Sequence, residues 1–85
     1  MTTPADVRDA VPVFDDVRYM NTGASGPSPR PVVEAAQETI EAHEWASAGD
    51  PGPYPYAFDR YEETRADVAS FVGADAEEIA LTQST

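Results

Sequence analysis

Residues 18–29 read RYMNTGASGPSP, and the interpretation of the whole chain starts from this stretch. Residues 18–21 carry aromatic and apolar side chains and predict a short strand. Two glycines and two prolines fall within residues 21–29 and predict an irregular loop. Small residues let the backbone amides of a loop approach an anionic ligand, but a tight turn from strand to helix favours the same composition. Composition alone favours the tight turn, with an anion-binding loop as the alternative.

A short helix is predicted before this stretch. Thr3 is a suitable N-cap, Pro4 suits the first helical position, and Asp6 follows three residues after the cap. The helix is predicted over residues 3–10 because Pro12 disfavours helical geometry at the residue before it. Residues 13–16 are predicted to connect this helix to the strand.

A longer helix is predicted after the stretch, over residues 29–47. Ser28 is its predicted N-cap, and Pro29 suits its first position. Apolar residues recur at spacings of three and four and predict one buried face, while glutamates predict a solvated face. The apolar positions are Val33, Ala36 and Ile40, and the acidic ones are Glu34, Glu38 and Glu41.

Residues 48–55 contain three prolines and two glycines and predict a linker. A second helix is predicted over residues 56–72, because Gly73 is a typical residue for the end of a helix. Its apolar stripe is interrupted by a single arginine and consists of Phe58, Tyr61, Arg65, Val68 and Val72.

The last part of the chain predicts one helical turn and one strand. Asp75 and Glu78 have the spacing of a capping box. Residues 79–82 are apolar and β-branched enough to predict a strand. The order is therefore strand, loop, helix, linker, helix, turn and strand, which is typical of the opening of an α/β domain.

Charge narrows the possible functions. The chain has 85 residues, with 16 Asp and Glu against five Arg and no Lys, and a formal net charge of −11. This charge disfavours nucleic acid and anionic membranes as partners, because both are bound through Lys and Arg. The absence of Cys excludes disulfides and thiolate chemistry, and the absence of Lys excludes a lysine Schiff base.

The sequence also indicates where in the cell, and in what kind of organism, the protein is expected. The first residues lack the basic segment and apolar run of a signal peptide, and no long apolar run follows, so we expect a cytoplasmic protein. An acid-rich chain without Lys resembles the proteins of halophiles that accumulate salt, where high ionic strength screens the charge.

Several side chains have a structural and a chemical interpretation. His43 has no nucleophile at a suggestive spacing, and the acidic helix face lacks convergent metal ligands, so we expect a half-buried or exposed His, a solvated face and no metal site. The composition favours a core role over a pocket for the aromatic group Trp45, Tyr54, Tyr56, Phe58 and Tyr61. Arg65 predicts a packed arginine with a carboxylate partner, with a clamp for a substrate carboxylate as the alternative.

Four segments in register resemble the N-terminal part of the class V aminotransferase family, which includes cysteine desulfurases and isopenicillin N epimerase-like proteins. Residues 18–27 resemble its opening strand and its loop of the form hydrophobic-Asn-x-Gly/Ala-x-x-Gly-Pro, and residues 30–35 resemble the helix start that follows. Residues 64–74 resemble its Arg, helix and Phe-x-Gly-Ala segment. Residues 78–85 resemble its Glu-Ile-x-hydrophobic-Thr-x-x-Thr segment.

The resemblance implies a fold, a cofactor and candidate site residues. The fold is the α/β fold of pyridoxal-phosphate-dependent transferases of the aspartate aminotransferase type, here mostly helical with two short strands. Thr85, and with it Ser84, would offer amide or hydroxyl groups to the phosphate of pyridoxal 5′-phosphate. Asn21, Gly23 and Ala24 would lie on the substrate side of the site. The parent enzyme would be a homodimer that acts on an amino acid.

The missing lysine limits what this chain does alone. The family holds its cofactor through a Schiff-base Lys, and this chain contains none, so we expect no catalytic residue within it. Residues 1–85 are therefore expected to be an incomplete domain that ends where the phosphate-binding turn begins, and to be inactive in isolation. The alternative is a stand-alone acidic helical module that binds a partner protein, or a gene remnant without function.

Overall fold

A computed structural model describes residues 2–83 of the chain. The secondary structure of this part is helical, with α1 at Pro4–Asp9, α2 at Arg30–Glu41 and α3 at Pro53–Val72. The chain divides into two compact units, Met1–Glu41 and Ala42–Thr85. Along residues 2–83, no helix combines the length and the apolar character needed to cross a membrane.

Helix α1 confirms the predicted N-terminal cap. The Thr3 hydroxyl accepts a hydrogen bond from the Asp6 amide at 3.2 Å and donates one to the Asp6 carboxylate at 2.7 Å. The Thr3 amide donates to the same carboxylate oxygen at 2.7 Å, which completes a capping box. These bonds favour the charged carboxylate and lower the pKa of Asp6 below its ordinary value. The helix ends at Asp9 with Ala10 as its C-cap, before Pro12, as predicted.

The first unit is held together between the end of α1 and the start of α2. The Arg30 amide donates to the Ala10 carbonyl at 2.7 Å. Beside this bond lies Val11, which is buried with an exposed fraction of 3%. Residues predicted as a plain connector form a 3-10 turn, Pro12–Asp15, in which proline occupies the first position.

Helix α2 is shorter at both ends than predicted. It begins at Arg30, because the Pro29 carbonyl already accepts from the Val32 and Val33 amides at 3.0 and 3.3 Å and so occupies the cap position. It ends at Glu41 and is followed by a π-helical turn, Ala42–Ala46.

The π-helical turn starts the second unit. The Ser47 amide donates to the Ala42 carbonyl at 2.8 Å, and the Ser47 hydroxyl donates to the His43 carbonyl at 2.9 Å. Ser47 is buried, and both its amide and its hydroxyl have a hydrogen-bond acceptor, as buried polar groups require.

Helix α3 is longer than predicted because it takes in part of the expected linker. It begins at Pro53, after Gly52 with a φ of 101°, a backbone conformation that favours glycine. Pro53 and Pro55 lie in the first turn, where a missing amide hydrogen costs the helix nothing. The helix ends at Gly73 in the left-handed conformation, with a φ of 74°, as predicted.

Both predicted strands are wrong for the described part of the chain: neither residues 18–21 nor residues 79–82 form one. Ile79 does have extended backbone angles, with φ −106° and ψ 126°. A strand also needs a hydrogen-bonded ladder, and no two extended segments among residues 2–83 pair with each other. The short helical turn before Ile79, Ala76–Glu78, is present and has the predicted capping box with Asp75.

The expected aromatic core is also wrong. Trp45, Tyr54 and Phe58 are 74%, 76% and 67% exposed, and Tyr61 is 45% exposed. Only Ala69 is a buried apolar residue of the described part of the second unit. A stripe of apolar residues requires a covering surface to become a core, and a single helix with one short returning segment covers little of it.

Candidate functional site

The loop that contains Asn21, Gly23 and Ala24 is organised around Tyr19. The Tyr19 hydroxyl donates to the Ser25 carbonyl in a short hydrogen bond and lies 3.3 Å from the Asn21 carbonyl oxygen. The Asn21 carbonyl also accepts from the Ala24 and Ser25 amides at 3.0 and 3.2 Å, which closes a turn. Tyr19 thus fixes both ends of the turn, and the three predicted substrate-side residues lie on it together.

These three residues are exposed. A Cβ atom at Gly23 would meet no other atom within 4 Å, and the backbone there does not have the positive φ that requires glycine. Neither steric crowding nor backbone strain within the described chain therefore explains glycine at this position.

The predicted phosphate-binding residues, Ser84 and Thr85, lie outside the described residues. The described residues do not by themselves form a site for pyridoxal phosphate. No lysine is present anywhere in the sequence to hold the cofactor's aldehyde.

Arg65 is the most connected side chain of the second unit. Its Nη1 donates to both carboxylate oxygens of Glu62, at 2.8 and 2.9 Å. Its Nη2 donates to the Ala76 carbonyl at 2.7 Å, and its Nε donates to the Ile79 carbonyl at 3.1 Å. The predicted carboxylate partner is confirmed. Four of the five N–H donors of this guanidinium are used inside the chain, which favours the packed role of Arg65 over a clamp for a substrate carboxylate.

Tyr61 extends the same arrangement by one helical turn. Its hydroxyl donates to the Leu81 carbonyl at 2.5 Å. Tyr61 and Arg65 are four residues apart and so lie on one face of α3. Between them they bind the carbonyls of residues 76, 79 and 81, and they hold the segment 76–81 against the helix. This segment leads directly to the predicted phosphate-binding residues.

His43 lies at the π-helical turn and is half-buried, in agreement with the sequence analysis. Its Nδ1 is 3.2 Å from a carboxylate oxygen of Glu44, and its ring centroid is 6.2 Å from that of Tyr56. Within residues 2–83, no three His, Asp or Glu side chains converge as a metal site. The glutamates of α2 are all exposed, as predicted for a solvated face.

Sequence reasoning missed the anchoring roles of Tyr19 and Tyr61. The sequence pattern places Tyr19 in a strand and Tyr61 in an apolar stripe, and neither pattern predicts a role for the hydroxyl. A tyrosine carries a hydrogen-bonding hydroxyl at the end of an apolar ring, and this property is the signal that points to such a role. The partners themselves, six and twenty residues further along the chain, depend on the fold.

Comparison with known proteins identifies two archaeal relatives. The chain is 35% identical over 86 aligned residues to a probable cysteine desulfurase of Pyrococcus abyssi, an alignment that covers all of this chain and 21% of that protein. It is 34% identical over 83 residues to a probable cysteine desulfurase of Methanothermobacter thermautotrophicus, which covers 94% of this chain and 20% of that protein.

The chain thus spans about a fifth of the length of these curated relatives. No protein-family model matches the chain. No solved structure matches it either.

Proposed function

We propose that this chain is the N-terminal part of a pyridoxal-phosphate-dependent enzyme of the cysteine desulfurase type, in the class V aminotransferase family. The observation that carries the proposal is similarity along all or nearly all of the chain to two proteins named probable cysteine desulfurase. The parent enzyme acts on an amino acid and removes sulfur from cysteine, and it works as a homodimer in the cytoplasm.

In this proposal the parent's lysine, and with it the covalent hold on the cofactor, lies beyond residue 85. The loop around Asn21, Gly23 and Ala24 lines the substrate side of the parent's site. Ser84 and Thr85 contribute to the phosphate-binding turn. The open space at Gly23 supports this placement, since it leaves room for a substrate or for another segment of the parent.

The acidic surface fits a salt-accumulating host. A net charge of −11 on 85 residues repels itself in dilute buffer and is screened in molar salt. We therefore place the parent enzyme in the cytoplasm of a halophile.

The first test follows the coding sequence past codon 85. We expect the reading frame to continue for several times the length of this chain and to encode a lysine far downstream. A stop codon at that point, followed by unrelated sequence, would show that the chain is not part of such an enzyme.

The second test measures sulfide release from cysteine by the longer protein, with and without the Gly23→Val substitution. A bulkier side chain on the substrate side is expected to lower kcat/KM by about tenfold or more. Gly49→Val is the matched control, because Gly49 also has open space around its Cβ position but lies far from the loop in sequence. Equal activity of the two variants would remove the loop from the substrate side.

A further inference from the structure

The first unit contains a cavity that the proposed function does not use. Its volume is about 430 Å³, within the range of sites that bind small molecules. Its lining combines two arginines with apolar and aromatic side chains, and consists of Arg8, Phe14, Val17, Arg18, Tyr19 and Met20. Arg8 lies in α1 and the other five residues follow between α1 and the Asn21 turn, so the cavity is built within the first unit.

The two arginines carry positive charges that the described chain does not neutralise. The cations that form ion pairs among residues 2–83 are Arg60 and Arg65, with His43 as a third when protonated. Neither Arg8 nor Arg18 has a carboxylate oxygen within 4.0 Å among these residues. This is unexpected on charge alone, because the sequence has 16 acidic residues and five arginines. The cavity therefore brings together two arginines that form no ion pair among residues 2–83, in a strongly acidic protein.

Other contacts hold the walls of the cavity in place. The Arg8 guanidinium lies over the Phe14 ring, 5.9 Å from its centroid, which orients it without consuming its hydrogen-bond donors. Tyr19 is fixed through its hydroxyl to the carbonyls of Ser25 and Asn21. Met20 contributes a flexible apolar wall and is 91% exposed. The site thus joins an oriented charge to a fixed aromatic ring.

We propose that this cavity binds a small carboxylate that carries an aromatic or branched apolar body. A guanidinium presents a planar fork of donors that matches a carboxylate, and two such groups line the site. The apolar walls take the body of the ligand, which reduces its exposure to water. General attraction between charges does not explain such binding, because the chain as a whole repels anions.

The test is a titration of the full 85-residue chain, labelled with ¹⁵N, with benzoate as the probe, at a KCl concentration at which the amide spectrum shows a folded chain. Saturable changes in amide shift are expected for residues 8–20. Benzyl alcohol, which has the same ring without the charge, is expected to bind at least about tenfold more weakly. No saturable change at residues 8–20, or equal binding of benzyl alcohol, would overturn the proposal.

Variants assign the effect to the arginines. Arg8→Gln and Arg18→Gln are each expected to weaken benzoate binding by about tenfold or more, because each removes one charged fork. Arg60→Gln is the matched control, since Arg60 is paired with Glu63 in the other unit. Wild-type affinity in both glutamine variants would exclude the arginines as the binding groups.

Lysine variants keep the test decisive if a glutamine variant fails to fold. Arg8→Lys and Arg18→Lys retain the charge but lose the planar fork, so they are expected to bind benzoate more weakly than the wild type and more tightly than the glutamine variants. The amide spectrum without ligand reports whether each variant is folded. Folded lysine variants that bind as tightly as the wild type would show that the fork plays no part.

Discussion

At the residue scale, the sequence predicts one kind of partner of Arg65, a carboxylate, and does not predict the two backbone carbonyls that it also binds. An arginine inside an apolar stripe predicts a packed side chain with a carboxylate partner, and Glu62, three residues earlier on the same helix, is that partner. The carbonyls of Ala76 and Ile79 are eleven and fourteen residues further along the chain. No local periodicity connects them to Arg65, because the contact exists only once the chain has turned at Gly73.

Removing Arg65 is expected to destabilise the second unit. Arg65→Met leaves the two carbonyls without their charged donor, which costs about 1–3 kcal/mol for partly buried groups. The side chain is 22% exposed, so solvent compensates for only part of the loss. Urea unfolding followed by circular dichroism measures the difference.

Arg60→Met is the matched control on the same helix. Arg60 pairs with Glu63, and both side chains are about half exposed, at 48% and 57%. Its loss is expected to cost no more than about 0.5 kcal/mol. Equal destabilisation by the two substitutions would mean that the Arg65 hydrogen bonds contribute nothing beyond a surface pair.

Asp6 provides a prediction on pH. The Thr3 hydroxyl and amide stabilise the charged carboxylate and hold the pKa of Asp6 below its ordinary value. A group whose pKa is lower in the folded state stabilises the fold above its unfolded pKa, and this contribution is lost as the pH falls through the folded value. The α1 cap is therefore expected to persist at neutral pH and to be lost in acid, below the ordinary aspartate range.

A carboxyl ¹³C titration checks this expectation. Thr3→Val removes the hydroxyl donor, so the pKa of Asp6 is expected to rise toward its ordinary value. Thr2→Val is the control, because Thr2 is exposed and lies outside the capping box. An Asp6 titration that is the same in the Thr3 variant and the wild type would contradict the assigned cause.

At the element scale, three predicted helix caps are confirmed, whereas both predicted strands are wrong for the described residues. The caps at Thr3, Gly73 and Asp75 depend on residues within four positions of one another, and all three are present. The predicted start of α3 at residue 56 is three residues too late, because Pro53 and Pro55 are also typical of a linker. Proline at the first turn of a helix is equally favourable, and Gly52 shows where the turn before the helix ends.

Gly73 is expected to be the least replaceable glycine at a helix end. Its φ of 74° is strained for any residue with a Cβ, so Gly73→Ala is expected to cost about 1 kcal/mol. Gly49→Ala, without a positive φ and with open space around the Cβ position, is expected to be neutral or slightly stabilising. Thermal unfolding distinguishes the two, and a neutral Gly73→Ala variant would contradict the role of this cap.

At the scale of the whole molecule, charge and exposed apolar surface act against a stable isolated chain. The formal charge of −11 destabilises compact states by self-repulsion. Large apolar side chains such as Phe58 and Phe71 are 67% and 91% exposed. The charge is that of the whole chain and both phenylalanines lie in the second unit, and these features agree with the proposal that the chain is part of a longer polypeptide.

Salt is therefore expected to increase the structure of the chain. Raising KCl from about 0.01 M to about 1 M shortens the Debye length from roughly 30 Å to roughly 3 Å, so repulsion between carboxylates is screened. Helical ellipticity at 222 nm and the free energy of unfolding are expected to rise together.

A variant with fewer acidic residues separates screening from other effects of salt. Combined Glu34→Gln, Glu38→Gln and Glu41→Gln substitutions remove three negative charges from the exposed face of α2. This variant is expected to respond less to KCl than the wild type. An equal or larger response would show that repulsion along this face is not what salt relieves.

The sequence by itself determined that three helices are present, the caps at Thr3, Gly73 and Asp75, and a carboxylate partner for Arg65, because each of these depends on residues a few positions apart. It also pointed to the resemblance that the two archaeal relatives support. The tertiary structure alone decided that the expected strands do not pair and that the aromatic stripe stays exposed. Tyr19 and Tyr61 acquired their roles only there, and Arg8 and Arg18 meet at one cavity. The physical reason is that pairing, burial and charge compensation depend on which surfaces meet, and short-range patterns do not specify this.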